Sequence, residues 1–416
     1  FDSGVGSLTV DLQALSGWTG ASYGNTRAAA PFAILDTIYN AIQMVVAADP
    51  NAVFAPLDSF WSVNNSPTIA NNRNFDTGEL GTSFYRGDID SLFLLGEENS
   101  DTEEFDTHVV AHEWGHYFED NFSRSDSTGG SHTLSDRLDP RLAFGEGFGN
   151  AVSAMINGNA IYFDTQGSQQ GSGFSFSVES NRASAAQRGW YNEGSVQVIL
   201  YDLFDSNDDL GDTISLGFGP IYDVLVNEQR VGTPFTTIFP FMEGIRARNP
   251  SLVPEIDVLL ATQRIVGDND AYGSNEIEAA GRPDLVLPVY TEIMPDAAAV
   301  NLCSTDIFDP DEDGNKLSVR RFVRIPVATA GDYQFTITTT NPPATGASDP
   351  DAFVFREGVL IGFGGSGDAN GETFTLTGLT PGDYVMVLYE FSYLRGDPVA
   401  ISQPDNRTCF DVTVTS

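Results

Sequence analysis

The stretch His108-Val109-Val110-Ala111-His112-Glu113-Trp114-Gly115-His116-Tyr117-Phe118 decides how this chain is read. Its apolar residues recur at three- and four-residue spacing. Upstream, Asp101-Thr102-Glu103-Glu104 has the spacing of a capping box with acids in the first turn, so a helix is expected to run from there to about Asn121. His112 and His116, four residues apart, project from one face of that helix and can offer both imidazoles to one ion. Glu113, about one residue round the helix, can sit beside an open coordination position and take a proton from a metal-activated water. Imidazole and carboxylate ligation in a hydrolytic site points to zinc. His108 continues the same face one turn earlier. Residues eight apart rise about 12 Å, so His108 and His116 cannot share an ion, and His108 is expected to be structural.

A third ligand must come from elsewhere. The metzincins place a glycine three residues after the second histidine and a further histidine three beyond it; here those positions hold Glu119 and Phe122. A second helix is expected from Asp139-Pro140, apolar at Leu142, Ala143, Phe148, Val152, Met155 and Ile156, and stopped near Gly158. Within it lies Gly145-Glu146-Gly147-Phe148. A bare carboxylate among small and apolar neighbours is costly unless a cation pairs with it, so Glu146 is the candidate ligand.

His-Glu-x-x-His followed some tens of residues later by a glutamate on an adjoining helix resembles the gluzincins, the thermolysin-like zinc metallopeptidases, over roughly residues 80–280. The resemblance implies His112, His116 and Glu146 as zinc ligands and Glu113 as general base. Two departures stand out. Thermolysin-like enzymes carry an aspartate four residues after the ligand glutamate, where this chain has Asn150, and a later histidine that holds the oxyanion, whereas no histidine follows His132. His132, on the Gly129-Gly130-Ser131-His132 loop, and Tyr191, in Gly189-Trp190-Tyr191-Asn192-Glu193, are the two candidate oxyanion donors.

Composition bounds the partners. Hydrophobic residues make up 41% of 416, enough for a substantial core, while 20 Lys+Arg against 58 Asp+Glu give a net charge of −38. Lys316 is the single lysine. Such a field opposes nucleic acid and anionic membrane surfaces and favours cation binding; the expected partners are a protein or peptide substrate, with the chain a monomer. The longest apolar stretch, 33–48, is interrupted by Asp36, Asn40 and Gln43. Calcium is expected at one or more of the clusters Asp205–Asp212, Asp268-Asn269-Asp270 and Asp309–Asn315, whose dense carboxylates suit a hard cation. Cys303 and Cys409 are expected to form a disulfide, in keeping with export. Phe1 follows no basic or apolar leader in the chain as written, which reads as a processed form or one lacking its signal.

Past Leu285 helical periodicity gives way to strand-like runs separated by Gly, Pro and Asp turns. Phe322–Pro326, Asp349-Pro350-Asp351-Ala352-Phe353-Val354 and Gly382-Asp383-Tyr384-Val385 resemble the bacterial pre-peptidase C-terminal domain, a small β-sandwich attached to secreted peptidases. The expected fold class is therefore α+β: an N-terminal α/β lobe over 1–122 ending in the zinc-binding helix, an α-rich lobe over 123–284, a linker over 285–300 and an accessory β-sandwich over 301–416. The expected function is a secreted zinc endopeptidase. The alternative is a non-catalytic adhesion or carbohydrate-binding protein on the same scaffold, which would have no use for Glu113.

Overall fold

The computed structural model describes residues 13–70, 73–206, 213–309, 313–343, 346–394 and 406–416. Four helices build the part that holds the histidines: α1 (Ala30–Ala48), α2 (Thr107–Phe122), α3 (Pro140–Asn157) and α4 (Glu193–Phe204). α3 lies between α2 and α4 and is buried from Pro140 to Met155. Its ends follow the local chemistry: the Asp139 side chain accepts from the Arg141 N–H, Pro140 fills the first turn, and Gly158 closes the helix at φ 58°. Small residues set the spacing. A Cβ on Gly115 of α2 would come within 2.8 Å of Val152 Cγ1 and 3.3 Å of Gly149 Cα, so α2 and α3 approach almost backbone to backbone. Further helices α5 (Phe218–Asp223), α6 (Ile238–Arg248) and α7 (Val253–Thr262) belong to the α-rich region; α5 passes into a π-helical turn, Val224–Gln229, and α6 starts at its Thr237 cap.

Among the described residues α1 is the one helix long and apolar enough, by length and composition, to cross a membrane. It packs on α2, with Ala41 and Val45 in the main core.

Strands β1 (Asp58–Trp61), β2 (Phe84–Arg86) and β3 (Ser91–Leu94) form a sheet in the order β1-β3-β2, which leaves β2 at an edge beside α2. Strands β4 (Gly96–Glu97), β5 (Asp101–Thr102), β6 (Ile161–Gln166) and β7 (Ser172–Ser177) form a second sheet in sequence order. This corrects the expected capping box. Asp101 and Thr102 are paired in β5, Glu104 is bound by Arg27 and Trp61 Nε1, and α2 begins only at Thr107. Even Asp106, in the N-cap position, gives its carboxylate to the N–H and O–H of Thr165 rather than to its own helix. Tertiary partners have outbid the local cap.

The C-terminal region is β-rich: β8 (Tyr290–Glu292), β9 (Val300–Thr305), β10 (Arg320–Val327), β11 (Gly331–Thr339), β12 (Pro350–Arg356), β13 (Val359–Gly364), β14 (Gly371–Leu379), β15 (Gly382–Glu390) and β16 (Arg407–Thr415). They form two sheets, β13-β12-β15-β10-β8 and β14-β11-β16-β9, around a core that includes Val323, Ile325, Phe335, Ile337, Met386, Leu388 and Phe410. Strand β11 alternates buried and exposed residues as a half-buried strand should. β15 does not: it is buried from Tyr384 to Tyr389 because Met386 and Leu388 face the sandwich core while Val385, Val387 and Tyr389 enter the main core beside the helices.

Hence the sandwich is no pendant accessory. The segment expected as a linker, 285–300, supplies β8, which pairs in parallel with β10, and places Tyr290 in the main core and Ile293 in the sandwich. Cys303 and Cys409 form the expected disulfide, across directly opposed positions of β9 and β16.

The calcium clusters fare differently. Asp208, Asp209, Asp212, Asp311 and Glu312 lie outside the described residues. Asp270 gives its carboxylate to the N–H groups of Tyr272 and Ser274 and to the Ser274 hydroxyl, and Asp309 accepts from the N–H groups of Asp313 and Gly314, so both are closed onto their own loops.

Candidate metal centre

Packing α2 against α3 puts three ligand-type atoms at one point. His112 Nε2 lies 3.1 Å from His116 Nε2 and 3.2 Å from Glu146 Oε2, and His116 Nε2 lies 3.6 Å from the same oxygen. Tetrahedral bonds of about 2.0–2.1 Å require ligand atoms about 3.3 Å apart, so these residues fit zinc without rearrangement. The donor set, two imidazoles and one carboxylate, is also one that zinc prefers. Side-chain exposure rises from 10% and 11% at His112 and Glu146 to 21% at His116 and 28% at His132, so the centre opens to solvent on the His116–His132 side.

Neighbouring groups orient each ring. Asn150 donates through Nδ2 to Gln197 Oε1 (3.1 Å), which leaves its Oδ1 to accept from His112 Nδ1 at 3.0 Å and frees His112 Nε2 for a metal. Asn150 thus orients the ring where thermolysin-like enzymes use an aspartate. Glu119, buried on α2, holds Oε2 3.6 Å from His116 Nδ1; burial pushes its carboxyl up while His116 pulls it down. Burial alone would lower the His116 imidazole, but Glu146 and Glu119 hold it well above its usual range. Burial raises Glu146, and His132 and His116 overcome it, leaving that carboxyl well below the usual carboxylate value.

Glu113 is half-buried, and its Oε2 accepts the Tyr85 N–H of edge strand β2 at 2.8 Å, which fixes the carboxylate against the strand. His132 joins the centre: its Nε2 is 3.2 Å from Glu146 Oε2 and its Nδ1–H donates to Glu193 Oε2 at 2.7 Å. Glu193 opens α4, whose Asn192 cap accepts from the Ser195 N–H. Burial lowers the His132 imidazole, and the Glu146 and Glu193 carboxylates outweigh it to hold it well above its usual range.

The loop bearing His132 is fixed from the C-terminal region. Lys316 Nζ donates to the Ser131 carbonyl at 2.9 Å, Asn315 Nδ2 donates to the carbonyls of Gly129 and Ser131, and the Leu317 N–H reaches Arg137 O. Lys316 is 2% exposed, so the single lysine is spent here.

Tyr191 stands apart. It is fully buried in the main core, and its hydroxyl donates to Glu278 Oε1 at 3.0 Å, which removes it as an oxyanion donor. His108 contacts the Asn159 carbonyl at 3.0 Å and leans on the Tyr162 ring, as a structural histidine does. A cavity of about 400 Å³ between α1 and α2, lined by Ile34, Leu35, Ile38, Trp114 and Tyr117 among others, lies on the face of α2 away from the ligands and is apolar.

Glu193, Glu119 and Gln197 were not singled out from sequence. Each acts through a partner on another turn or element, and only the Asn192-Glu193 start of a helix after Tyr191 hinted at one of them.

Solved structures similar to part of the chain include the pre-peptidase C-terminal domain of a collagenase from Bacillus anthracis, at 10% identity over 30% of this chain and 93% of that one, with a TM-score of 0.20. CorA, a surface-associated copper-binding protein of Methylomicrobium album BG8, is 9% identical over 30% of this chain and 98% of its own, with a TM-score of 0.22. PliG of Aeromonas hydrophila, a periplasmic inhibitor of g-type lysozyme, is 12% identical over 30% and 96%, with a TM-score of 0.18. No curated protein matches the chain. Residues 65–226, less than half of the chain but the part that contains His112, Glu113, His116, His132, Glu146 and Glu193, match the family model described as the mycolysin C-terminal domain.

Proposed function

We propose that this chain is a secreted zinc endopeptidase of gluzincin type, with the two-lobed zincin arrangement around α2 and α3. The observation that carries the reading is the convergence of His112 Nε2, His116 Nε2 and Glu146 Oε2 within 3.1–3.6 Å of one another, next to a glutamate oriented by a strand edge. Those three residues would hold zinc, whose chemistry when bound would be Lewis acidity toward a peptide carbonyl and a water. Glu113 takes the proton from the attacking water and returns it to the leaving amine. Its bond from the Tyr85 N–H fixes the carboxylate without neutralising it.

His132 is the oxyanion donor of this proposal. The Glu193 carboxylate fixes Nδ1–H, which aims Nε2 at the ligand centre, and a donor already in place spares reorganisation as charge develops on oxygen. An extended substrate has backbone partners to meet at β2, the edge strand next to Glu113, which favours a peptide over a compact substrate. The match of residues 65–226 to the mycolysin C-terminal domain supports a peptidase, and the Cys303–Cys409 disulfide supports an oxidising, extracellular setting. The acidic surface, at net −38, fits a monomer without nucleic-acid or membrane-surface partners.

Metal analysis together with casein hydrolysis tests this. One zinc per chain is expected, with hydrolysis abolished by a chelator and restored by zinc, and Glu146→Ala should lose the metal while keeping its helical signal. Full zinc retention in that variant would mean that Glu146 is not a ligand.

A further inference from the structure

A second group of ligand-type side chains lies just before α2, separate from the histidine centre. Asp101 on β5, Glu103 in the turn after it and Asp164 on β6 bring one carboxylate oxygen each to within 4.8 Å of one another. The register accounts for this. Asp101 is opposite Gln166 in the antiparallel β5–β6 pair, so Glu103, two residues on, approaches Asp164, two residues back, on the same face.

Asp101 and Glu103 are buried, Asp164 is half-buried, and each keeps one oxygen that nothing answers. Asp101 is 7% and Glu103 2% exposed, and Asp101 Oδ1, Glu103 Oε2 and Asp164 Oδ1 are each buried without a hydrogen-bond partner. Among the described residues no Lys, Arg or His forms an ion pair with any of the three. Arg27, which does reach this region, is taken by Glu104 and the Gly96 carbonyl, and Asp106 is occupied by Thr165. Carboxylates crowded together out of water must be relieved by a bound proton or by a cation, and among the described residues no side chain supplies the cation.

We propose that Asp101, Glu103 and Asp164 bind one calcium ion that ties the β5–β6 sheet to the start of α2. Two oxygens on one calcium, at bonds of about 2.3–2.6 Å, stand at most about 5 Å apart, a span that includes all three; calcium accepts a cage made of carboxylates, whereas magnesium keeps several of its waters. A set of carboxylates alone, with no nitrogen or sulfur donor, suits a hard cation rather than a second zinc. The ion would brace the first turn of the helix that presents His112 and His116. This site shares no residue with the histidine centre, and the proposal does not depend on peptidase activity.

The test uses the full chain, freed of metal with chelator and returned to buffers of fixed ionic strength. Calcium binding by equilibrium dialysis and melting temperature are compared for the wild type and Glu103→Gln/Asp164→Asn. The wild type should bind one calcium more than the double variant and melt about 5 °C higher in millimolar calcium. Without calcium, the double variant should melt at or above the wild type, because the like-charge repulsion is gone. Should the double variant not fold, Asp164→Asn alone, at a half-buried position, should weaken calcium binding at least tenfold. Equal calcium stoichiometry in wild type and variant, or a wild-type melting temperature that calcium leaves unmoved, would overturn the proposal. An equal shift with magnesium would overturn the assignment to calcium.

Discussion

Gly149 lies on α3 three residues beyond Glu146, and a Cβ added there would stand 2.8 Å from His112 Cε1 and 2.9 Å from both ring nitrogens. The imidazole is therefore seated flat on the bare backbone of α3. Ordinary carbon contacts need about 3.5–4.0 Å, so in Gly149→Ala the ring must retreat by about 0.6–1.2 Å. Zinc sites tolerate displacements of only about 0.2 Å, and the Asn150 bond that sets the ring's orientation would be lost with the same movement. Zinc affinity should fall by roughly 10–100-fold, the range seen when a ligand's orienting partner is removed. Stability carries opposing contributions. Alanine gains about 1 kcal/mol of helix propensity over glycine, while overpacking costs about 1–3 kcal/mol, leaving the metal-free protein destabilised by about 0–2 kcal/mol. Competition with a chromophoric chelator measures the first effect, and thermal melts with and without zinc the second. A variant that keeps zinc affinity within twofold and melts above the wild type would show that only propensity had changed, and that His112 does not rest on Gly149.

His132→Asn and Tyr191→Phe separate the two residues first considered for the oxyanion: the former should lower kcat by about 10²–10³-fold with zinc retained, the latter should leave kcat alone and cost about 1 kcal/mol of stability through the lost bond to Glu278. Loss of turnover in Tyr191→Phe would return that residue to the site. Lys316→Met, which keeps the side chain's length, should lower kcat at constant zinc content by releasing the loop before His132; unchanged turnover would show that Asn315 and the backbone bonds suffice. Burial, with Asp349 nearby, pushes the Asp351 carboxyl up to about 6, so its folded value exceeds the unfolded one. Such a group favours the folded state below about pH 4 and loses that contribution as pH rises through about 6. Asp351→Asn should therefore melt above the wild type at pH 7 and lose that advantage near pH 4; a difference independent of pH would remove Asp351 from the account.

Much of this structure was legible where the cause is local. Asp139-Pro140 and Gly158 bound α3 because a cap, a first-turn proline and a left-handed glycine act within a few residues. The strands of the C-terminal region could be read from alternation and turns, and the two cysteines from their place near its ends. What escaped depends on distant partners. Asp101-Thr102-Glu103-Glu104 has the spacing of a cap but is claimed by β4, β6, Arg27 and Trp61, none of which is visible in the local pattern. The segment 285–300 looks like a linker because β8 has only three residues and owes its order to β10. At the centre, the periodicity of one helix was enough to align His112 with His116. Glu146 required a second helix and a resemblance, and Glu193 became meaningful only when the fold brought α4 beside the loop of His132.

The central claim is that Glu113 works as a base beside a metal held by His112, His116 and Glu146. Glu113→Gln keeps the size of the side chain and an oxygen to accept the Tyr85 N–H, and it removes only the basicity. Purified wild type and variant, each assayed for zinc content and for hydrolysis of casein, test it directly. The account predicts about one zinc per chain in both proteins and a loss of about 10²–10⁴-fold in turnover for the variant. Turnover within a few-fold of the wild type, at equal zinc content, would contradict it.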